Sequence, residues 1–381
     1  METKLSDTQK KIERIKKTIN LEEPDRIPIY DFFWTEFINR WKKEKKLSQD
    51  TNIYYYYDMD LMVISPNMDP MIKSCEIIEK GDDYIIWKSG FGATLKKLDY
   101  APMASYLDFS IKSADEYKKF EFDDPNDIER FQGIRQDIIS GDGFNPQPGF
   151  NEAVKEASKK ICIFGSICGG HEALWRIRGP EGVYMDLALY PEKVQEFVER
   201  IGDFMIEIGK RQMEFEGVQG LFIWGDVAYK NGMLFSPKMW KEIFYPVIKR
   251  ICTELHKTGA LLVYHGCGDS RAILDGLVDT GIDAYQPCEV KAGMDILELK
   301  KKYGRKIAFM GNIDAQNILP GPKKKLKENL LQKLNAAVGG GYIPASDHSV
   351  HSGVSAKNYD YFISLLKNHG KYPLNIPEKY Q

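Results

Sequence analysis

Short apolar runs recur along the chain, rich in β-branched and aromatic residues. Most are followed by a longer stretch in which apolar positions return every three or four residues. The runs are RIPIYDF (26–32), DLMVIS (60–65), KICIFGS (160–166), GLFIWGD (220–226), ALLVYHG (260–266), IDAYQP (282–287), KIAFMGN (306–312) and GYIPAS (341–346). Eight strands are therefore expected, joined through helices. In the segment 236–259, Trp240, Phe244, Val247 and Ile251 fall on one helical face. A long helical region is expected through Arg211, and the last helix runs from about Ala356 to Asn368. Strands that are apolar almost throughout belong in a parallel sheet covered on both faces. Eight of them, alternating with helices, predict an α/β fold of the (β/α)8 TIM-barrel type, with an open doubly wound sheet as the alternative.

Two regions depart from the alternation. The first twenty residues read as a charged helix preceding the barrel, with no apolar signal-peptide core. CEIIEKGDDYIIWKSGFGATLKKL (75–98) alternates like a β-hairpin with Gly-Asp-Asp at the turn, and 100–158 reads as polar helices and long loops. The expectation is one barrel domain over 1–381, with 70–158 as a hairpin and loop/helix insertion.

Composition narrows the class. The 381 residues are 43% hydrophobic, enough for a large core. The formal charge of -2 gives no electrostatic reason to expect nucleic acid or an anionic membrane as partner. No apolar stretch of membrane-spanning length is present. Six scattered cysteines are unlike a disulfide framework and fit a reduced, cytoplasmic setting.

In barrels of this kind chemistry gathers at the carboxyl ends of the strands. The residues just past the expected strands are Asp31, Asn67, Ser166, Asp226, His265 with Cys267, Glu289, Asn312 with Asp314, and Asp347 with His348. His265 and Cys267 are both metal ligands in type, and zinc takes four donors drawn from thiolate, imidazole and carboxylate. His348 is the best third ligand, with Glu289 and Cys288 as fourth candidates. The competing reading makes Cys267 a small buried apolar residue and His265 a hydrogen-bonded histidine. His171 is expected to line the pocket; His256 and His369 are expected at the surface, and His351 is a weaker ligand candidate. GSICGG (165–170) lacks the spacing of a phosphate or dinucleotide loop.

LEEPDRIPI (21–29), GDVAYKNGMLFSPKMWKEIFYPVIKRI (225–251), HGCGD (265–269), KAGMDILELKKKYGRKIAFMGNIDAQ (291–316) and GGGYIPASDHSV (339–350) resemble the uroporphyrinogen decarboxylase superfamily. The likeness runs from about residue 8 to 370 and is strongest from 218 onward. It is to the branch of cobalamin-dependent methyltransferases, of the methylcobamide:coenzyme M methyltransferase kind. It implies a (β/α)8 barrel and a zinc-dependent methyltransferase working with the cobalt of a separate corrinoid protein. His265 and Cys267 match the family's HxC zinc motif, and His348 stands where the family has a third, cysteine ligand. A neutral imidazole there would leave a more Lewis-acidic metal, which turns the expected substrate from coenzyme M toward a methyl ether, methylamine or tetrahydrofolate reaction.

Within that resemblance Asp226 and Glu289 are the catalytic candidates, and Asp31, His171 and Asn312 the substrate-binding ones. The corrinoid is expected on a partner protein, because no DxHxxG cobalamin signature occurs here. The first strand region, DRIPIYDFFWTEF (25–37), lacks the arginine pair with which true decarboxylases bind their substrate's carboxylates. The alternatives are a metal-independent decarboxylase or lyase using Asp226 and Glu289, and a non-catalytic binder of a corrinoid or tetrapyrrole.

Overall fold

Parallel strand pairing dominates, as the unbroken apolar runs require. The structure, a computed structural model, describes residues 5–101, 103–132 and 148–381. In chain order, β1 (Leu61–Val63) is followed by an antiparallel excursion, β2 (Glu76–Lys80), β3 (Tyr84–Lys88), β4 (Ala93–Leu98) and β5 (Ser105–Phe109). The main sheet resumes with β6 (Cys162–Cys168) and β7 (Val218–Trp224), then a two-residue ribbon pair, β8 (Ala228–Tyr229) and β9 (Gly232–Met233). It finishes with β10 (Leu261–His265), β11 (Ala284–Gln286), β12 (Ala308–Ile313) and β13 (Tyr342–Ser346). The seven strands β1, β6, β7, β10, β11, β12 and β13 pair in that order, all parallel, as one curled sheet.

The closed eight-stranded barrel is corrected by this arrangement. The first expected strand, 26–32, makes no ladder, and the sheet stays open between β1 and β13. Pro28 has no N–H to donate, and the Ile29 N–H is taken by the Asp60 carboxylate at 2.7 Å. Single bonds replace the ladder: the Asp60 N–H donates to the Ile29 carbonyl at 2.8 Å and the Val350 N–H to the Phe32 carbonyl at 2.8 Å.

The concave side of the sheet holds Leu61, Phe164, Phe222, Val263, Met310 and Ile343, together with Tyr30. Ile15 and Ile19 join them from the helix Asp7–Ile19, which a Ser6/Gln9 capping box starts. Arg14 of this helix bonds Asp60, the residue before β1, so the helix covers the amino ends of the strands. The convex side packs on the outer helices. Trp240, Phe244, Val247 and Ile251 are all buried there, as their spacing predicts. Their helix carries a π-turn at Trp240–Phe244, just ahead of Pro246, whose ring cannot donate into a regular α ladder. The long helical region before β7 is three helices, Gly170–Arg178, Pro180–Leu189 and Pro191–Met213, broken at Gly179 (φ 81°) and at the two prolines.

The expected hairpin is larger than its alternation showed. It is a four-stranded antiparallel meander in the order β2-β3-β4-β5, with β5 inside the stretch expected to be helix and loop. Residues 133–147 of that stretch lie outside the described residues. Tyr106 packs on Trp175 with ring centroids 5.1 Å apart, seating the meander on the helix that follows β6. No helix among the described residues is long and apolar enough to cross a membrane.

Candidate metal centre at the carboxyl ends of the strands

Three adjacent strands end at one level: His265 of β10 is in register with Trp224 of β7 and with Gln286 of β11. Beyond that level the chain turns sharply, and hydrogen bonds fix each turn. The Gly225 N–H donates to the His265 carbonyl at 2.9 Å, and the Gly266 N–H to the Gln286 carbonyl at 2.8 Å. Tyr264 and Tyr285 donate their hydroxyls to the carbonyls of Gly225 and Gly266, each at 2.7 Å. Gly268 is at φ 81°, and a Cβ there would stand 2.6 Å from the backbone of Ala228 and Tyr229. Only glycine lets the loop lie so close on the β8 ribbon.

These turns bring four chemical groups around Cys267. Asp226, His265 and Cys267 offer ligand atoms within 4.8 Å of one another, and so do Cys267, Glu289 and His348. His265 Nε2 is 3.5 Å from Cys267 Sγ and 3.5 Å from Asp226 Oδ1. Asp226 Oδ1 also accepts the Cys267 N–H at 2.8 Å, and Glu289 Oε2 accepts the Gly268 N–H at 3.2 Å. The three ligands expected from the sequence thus fall into two overlapping triads that share Cys267. Two carboxylates come with them.

Electrostatics at the centre favour a cation. Burial pushes the Cys267 thiol well above its ordinary range, and the carboxylates of Asp226 and Glu289 push it the same way. Burial lowers the His348 pKa, keeping the ring neutral and its lone pair free. A divalent ion would reverse the penalty on the thiolate, since a coordinating thiol is deprotonated outright. One thiol, two imidazoles and two carboxylates form a donor set that suits zinc. His265 Nδ1 is already engaged by Gln286 Oε1, so Nε2 is the nitrogen left to ligate.

Rings frame the two histidines. Trp34 stacks on His348 with centroids 6.1 Å apart, and Trp224 meets His265 edge-on at 4.9 Å. Phe32 bridges toward Trp224 at 5.7 Å, and its place two residues from Trp34 on extended chain sets both rings on one side.

The remaining expected residues lie apart from the two triads. Asp31 is 1% exposed and accepts from Ser346 N at 3.1 Å, from the Ser346 hydroxyl and from the Tyr359 hydroxyl at 3.0 Å. Burial raises its pKa to about 7. Asn312, at φ 69°, donates to the Cys288 carbonyl at 2.7 Å and braces the loop after β11. Asp347 ties two loops together, accepting Ala315 N at 2.8 Å and Val290 N at 3.0 Å. Cys288 is fully buried and outside both triads. His171 holds the Asp226 carbonyl through Nδ1 at 2.6 Å, among the rings of Tyr184, Phe235 and Phe244. Its Nε2 is buried without a partner among the described residues. His256 pairs with Asp283 at 3.0 Å, and His351 reaches the Ala315 carbonyl at 3.0 Å.

Sequence reading missed Gln286 and Trp224; the aromatic run Tyr30, Phe32, Phe33 and Trp34 hints at an apolar or aromatic substrate, with packing as the slightly favoured reading. Gln286 was accessible to the strand-end rule, since it is the last residue before the proline that closes the run IDAYQP. Trp224 had no such signal, because an aromatic residue at a strand end serves packing equally well.

The sequence profile of a family described as uroporphyrinogen decarboxylase (URO-D) matches residues 149–369, more than half of the chain. Among solved structures, a methyltransferase from Methanosarcina mazei superimposes with a TM-score of 0.64 at 14% identity, covering 94% of this chain and 98% of that one. A beta-1,4-mannanase from the sea hare Aplysia kurodai reaches a TM-score of only 0.31 at 15% identity, over 60% of this chain and 73% of its own. That value is too low to carry an argument. No curated protein matches the chain.

Proposed function

Because the chain belongs to the uroporphyrinogen decarboxylase family, we propose that it is a zinc-dependent methyltransferase. It would move a methyl group between a small substrate and the cobalt of a corrinoid held by a separate protein. The observation that carries this reading is the pair of ligand triads sharing Cys267. A family barrel without metal chemistry has little use for a thiol, two imidazoles and two carboxylates at one point. The fold shared with the Methanosarcina methyltransferase agrees with it.

In this account His265, Cys267 and His348 hold zinc, with Glu289 or Asp226 as the carboxylate within reach. Bound zinc would act as a Lewis acid on the heteroatom that carries or receives the methyl group. The chain's own residues do the rest. Asp226 orients the Cys267 backbone and stands ready to take or give a proton beside His265. Glu289 holds the Gly268 backbone and keeps negative charge on the far side of Cys267. Phe32, Trp34 and Trp224 supply an apolar wall beside the two histidines, which excludes water from the methyl group and packs against a small apolar substrate. His171, through the Asp226 carbonyl, steadies the strand end from behind.

The decarboxylase alternative has less support. A polycarboxylate needs unpaired cations, and Arg26, in the first strand region that lacks the decarboxylases' arginine pair, is taken by Asp60 at 2.8 Å.

The test is spectrophotometric. Protein, cob(I)alamin and a panel of methyl ethers, methylamines and methyl thioethers are mixed without oxygen. Conversion of the cob(I)alamin spectrum to that of methylcobalamin with one donor class supports the reading. Release of carbon dioxide from a carboxylated substrate after zinc chelation defeats it.

A further inference from the structure

His265 and Gln286 are register partners at the ends of β10 and β11, so their side chains leave the sheet on one face and at one level. The backbones are tied there as well, by the Gly266 N–H on the Gln286 carbonyl at 2.8 Å. Gln286 is 3% exposed, so water does not compete for its amide. Its Oε1 is hydrogen-bonded to His265 Nδ1, while the opposite nitrogen, Nε2, faces Cys267 Sγ and Asp226 Oδ1 at 3.5 Å each. Trp224, in register on the other side, holds the ring edge-on at 4.9 Å.

We propose that Gln286 is the positioning residue of the centre: its amide oxygen accepts a hydrogen bond from the Nδ1–H of His265, which keeps the proton on Nδ1 and leaves the Nε2 lone pair to ligate beside Cys267. The inference rests on the zinc reading only for its affinity arm. An imidazole carries its proton on one nitrogen, and the partner of the other nitrogen decides which. Were the amide reversed, its N–H would face Nδ1, the proton would sit on Nε2, and His265 would donate to Asp226 instead of ligating. A neutral amide acceptor also differs from a carboxylate. It fixes the tautomer without drawing the ring toward imidazolate, so His265 stays a neutral ligand.

The two histidines are therefore held differently. His265 is locked by a hydrogen bond through its rear nitrogen. His348 is placed by its stack on Trp34.

Imidazole nitrogen-15 spectra and zinc affinity by chelator competition test this in the full chain, in the wild type, Gln286→Leu and Gln286→Glu. The expected result is a proton on His265 Nδ1 in both metal-free and zinc-loaded wild type. Zinc binding should weaken about 10–100-fold in Gln286→Leu and return to at least the wild-type level in Gln286→Glu, which restores an acceptor. An unprotonated Nδ1 in the wild type overturns the proposal, and so does wild-type zinc affinity in Gln286→Leu. Should the leucine variant fail to fold, the wild-type spectrum and the glutamate variant still decide. A wild type that takes up no zinc defeats the zinc reading, and the metal-free tautomer then decides alone.

Discussion

Cys267 donates its backbone N–H to Asp226 Oδ1 at 2.8 Å, across a separation of 41 residues. The same oxygen lies 3.5 Å from His265 Nε2. One carboxylate thus fixes the turn that presents the thiol and adds negative charge beside the imidazole. Loop geometry and site chemistry are coupled at this point.

Asp226→Asn separates those two roles. The amide oxygen keeps the bond to the Cys267 N–H, and only the charge and the proton-accepting capacity go. The side chain is 42% exposed, so stability should move by less than about 1 kcal/mol. Methyl transfer to cob(I)alamin should fall about 100-fold, the usual size of a lost acid–base group. Unchanged turnover in the folded variant would remove Asp226 from the mechanism.

Gly311 offers a prediction about the scaffold beneath the site. It sits in β12 at φ 107°, and a Cβ there would stand 1.9 Å from the carbonyl oxygen of Pro287 and 2.7 Å from its carbonyl carbon. Gly311→Ala must push away Pro287, which links Gln286 at the end of β11 to the loop that carries Glu289. It should cost roughly 2–4 kcal/mol, read as a lower urea midpoint with an unchanged slope. A midpoint equal to that of the wild type would mean the strand end gives way more easily than its packing indicates.

Asp31 sets a pH dependence. Burial raises its pKa from 3.8 to about 7 in the folded chain, so between those values the native state holds a proton that the unfolded state has lost. Its contribution is complete below the unfolded value and is lost as pH rises through the folded one. Asp31→Asn is neutral throughout and can still bond Ser346 and Tyr359. Relative to the wild type, the variant should gain roughly 2–4 kcal/mol in unfolding free energy between pH 4.5 and 7.5. A difference that stays constant across that range would show that Asp31 ionises freely.

Particular residues show how far the sequence alone reaches. The seven apolar runs from β1 to β13 are legible because parallel strands are buried on both faces, and the strand-end rule then finds Asp226, His265, Cys267, Glu289 and His348 as a group. The first run fails as a strand for a local reason: Pro28 cannot donate, and Asp60 takes the Ile29 N–H through its side chain. An apolar pattern records burial but not which partner satisfies the backbone. Strand β5 was hidden because Ser105, Leu107 and Asp108 stay exposed, which blurs the alternation. Asn312 stands near the end of β12, and Asp31 at the end of the run that forms no strand. Their oxygens and nitrogens are nonetheless spent on Ser346, Tyr359 and Cys288, a distinction only three dimensions reveal.

The most direct test of the central claim is the zinc content of the purified chain, measured by elemental mass spectrometry beside Cys267→Ser. The account predicts one zinc per wild-type chain and a large loss in the variant, because Cys267 is the residue both triads share. No stoichiometric zinc in the wild type, or equal zinc in both proteins, would contradict it.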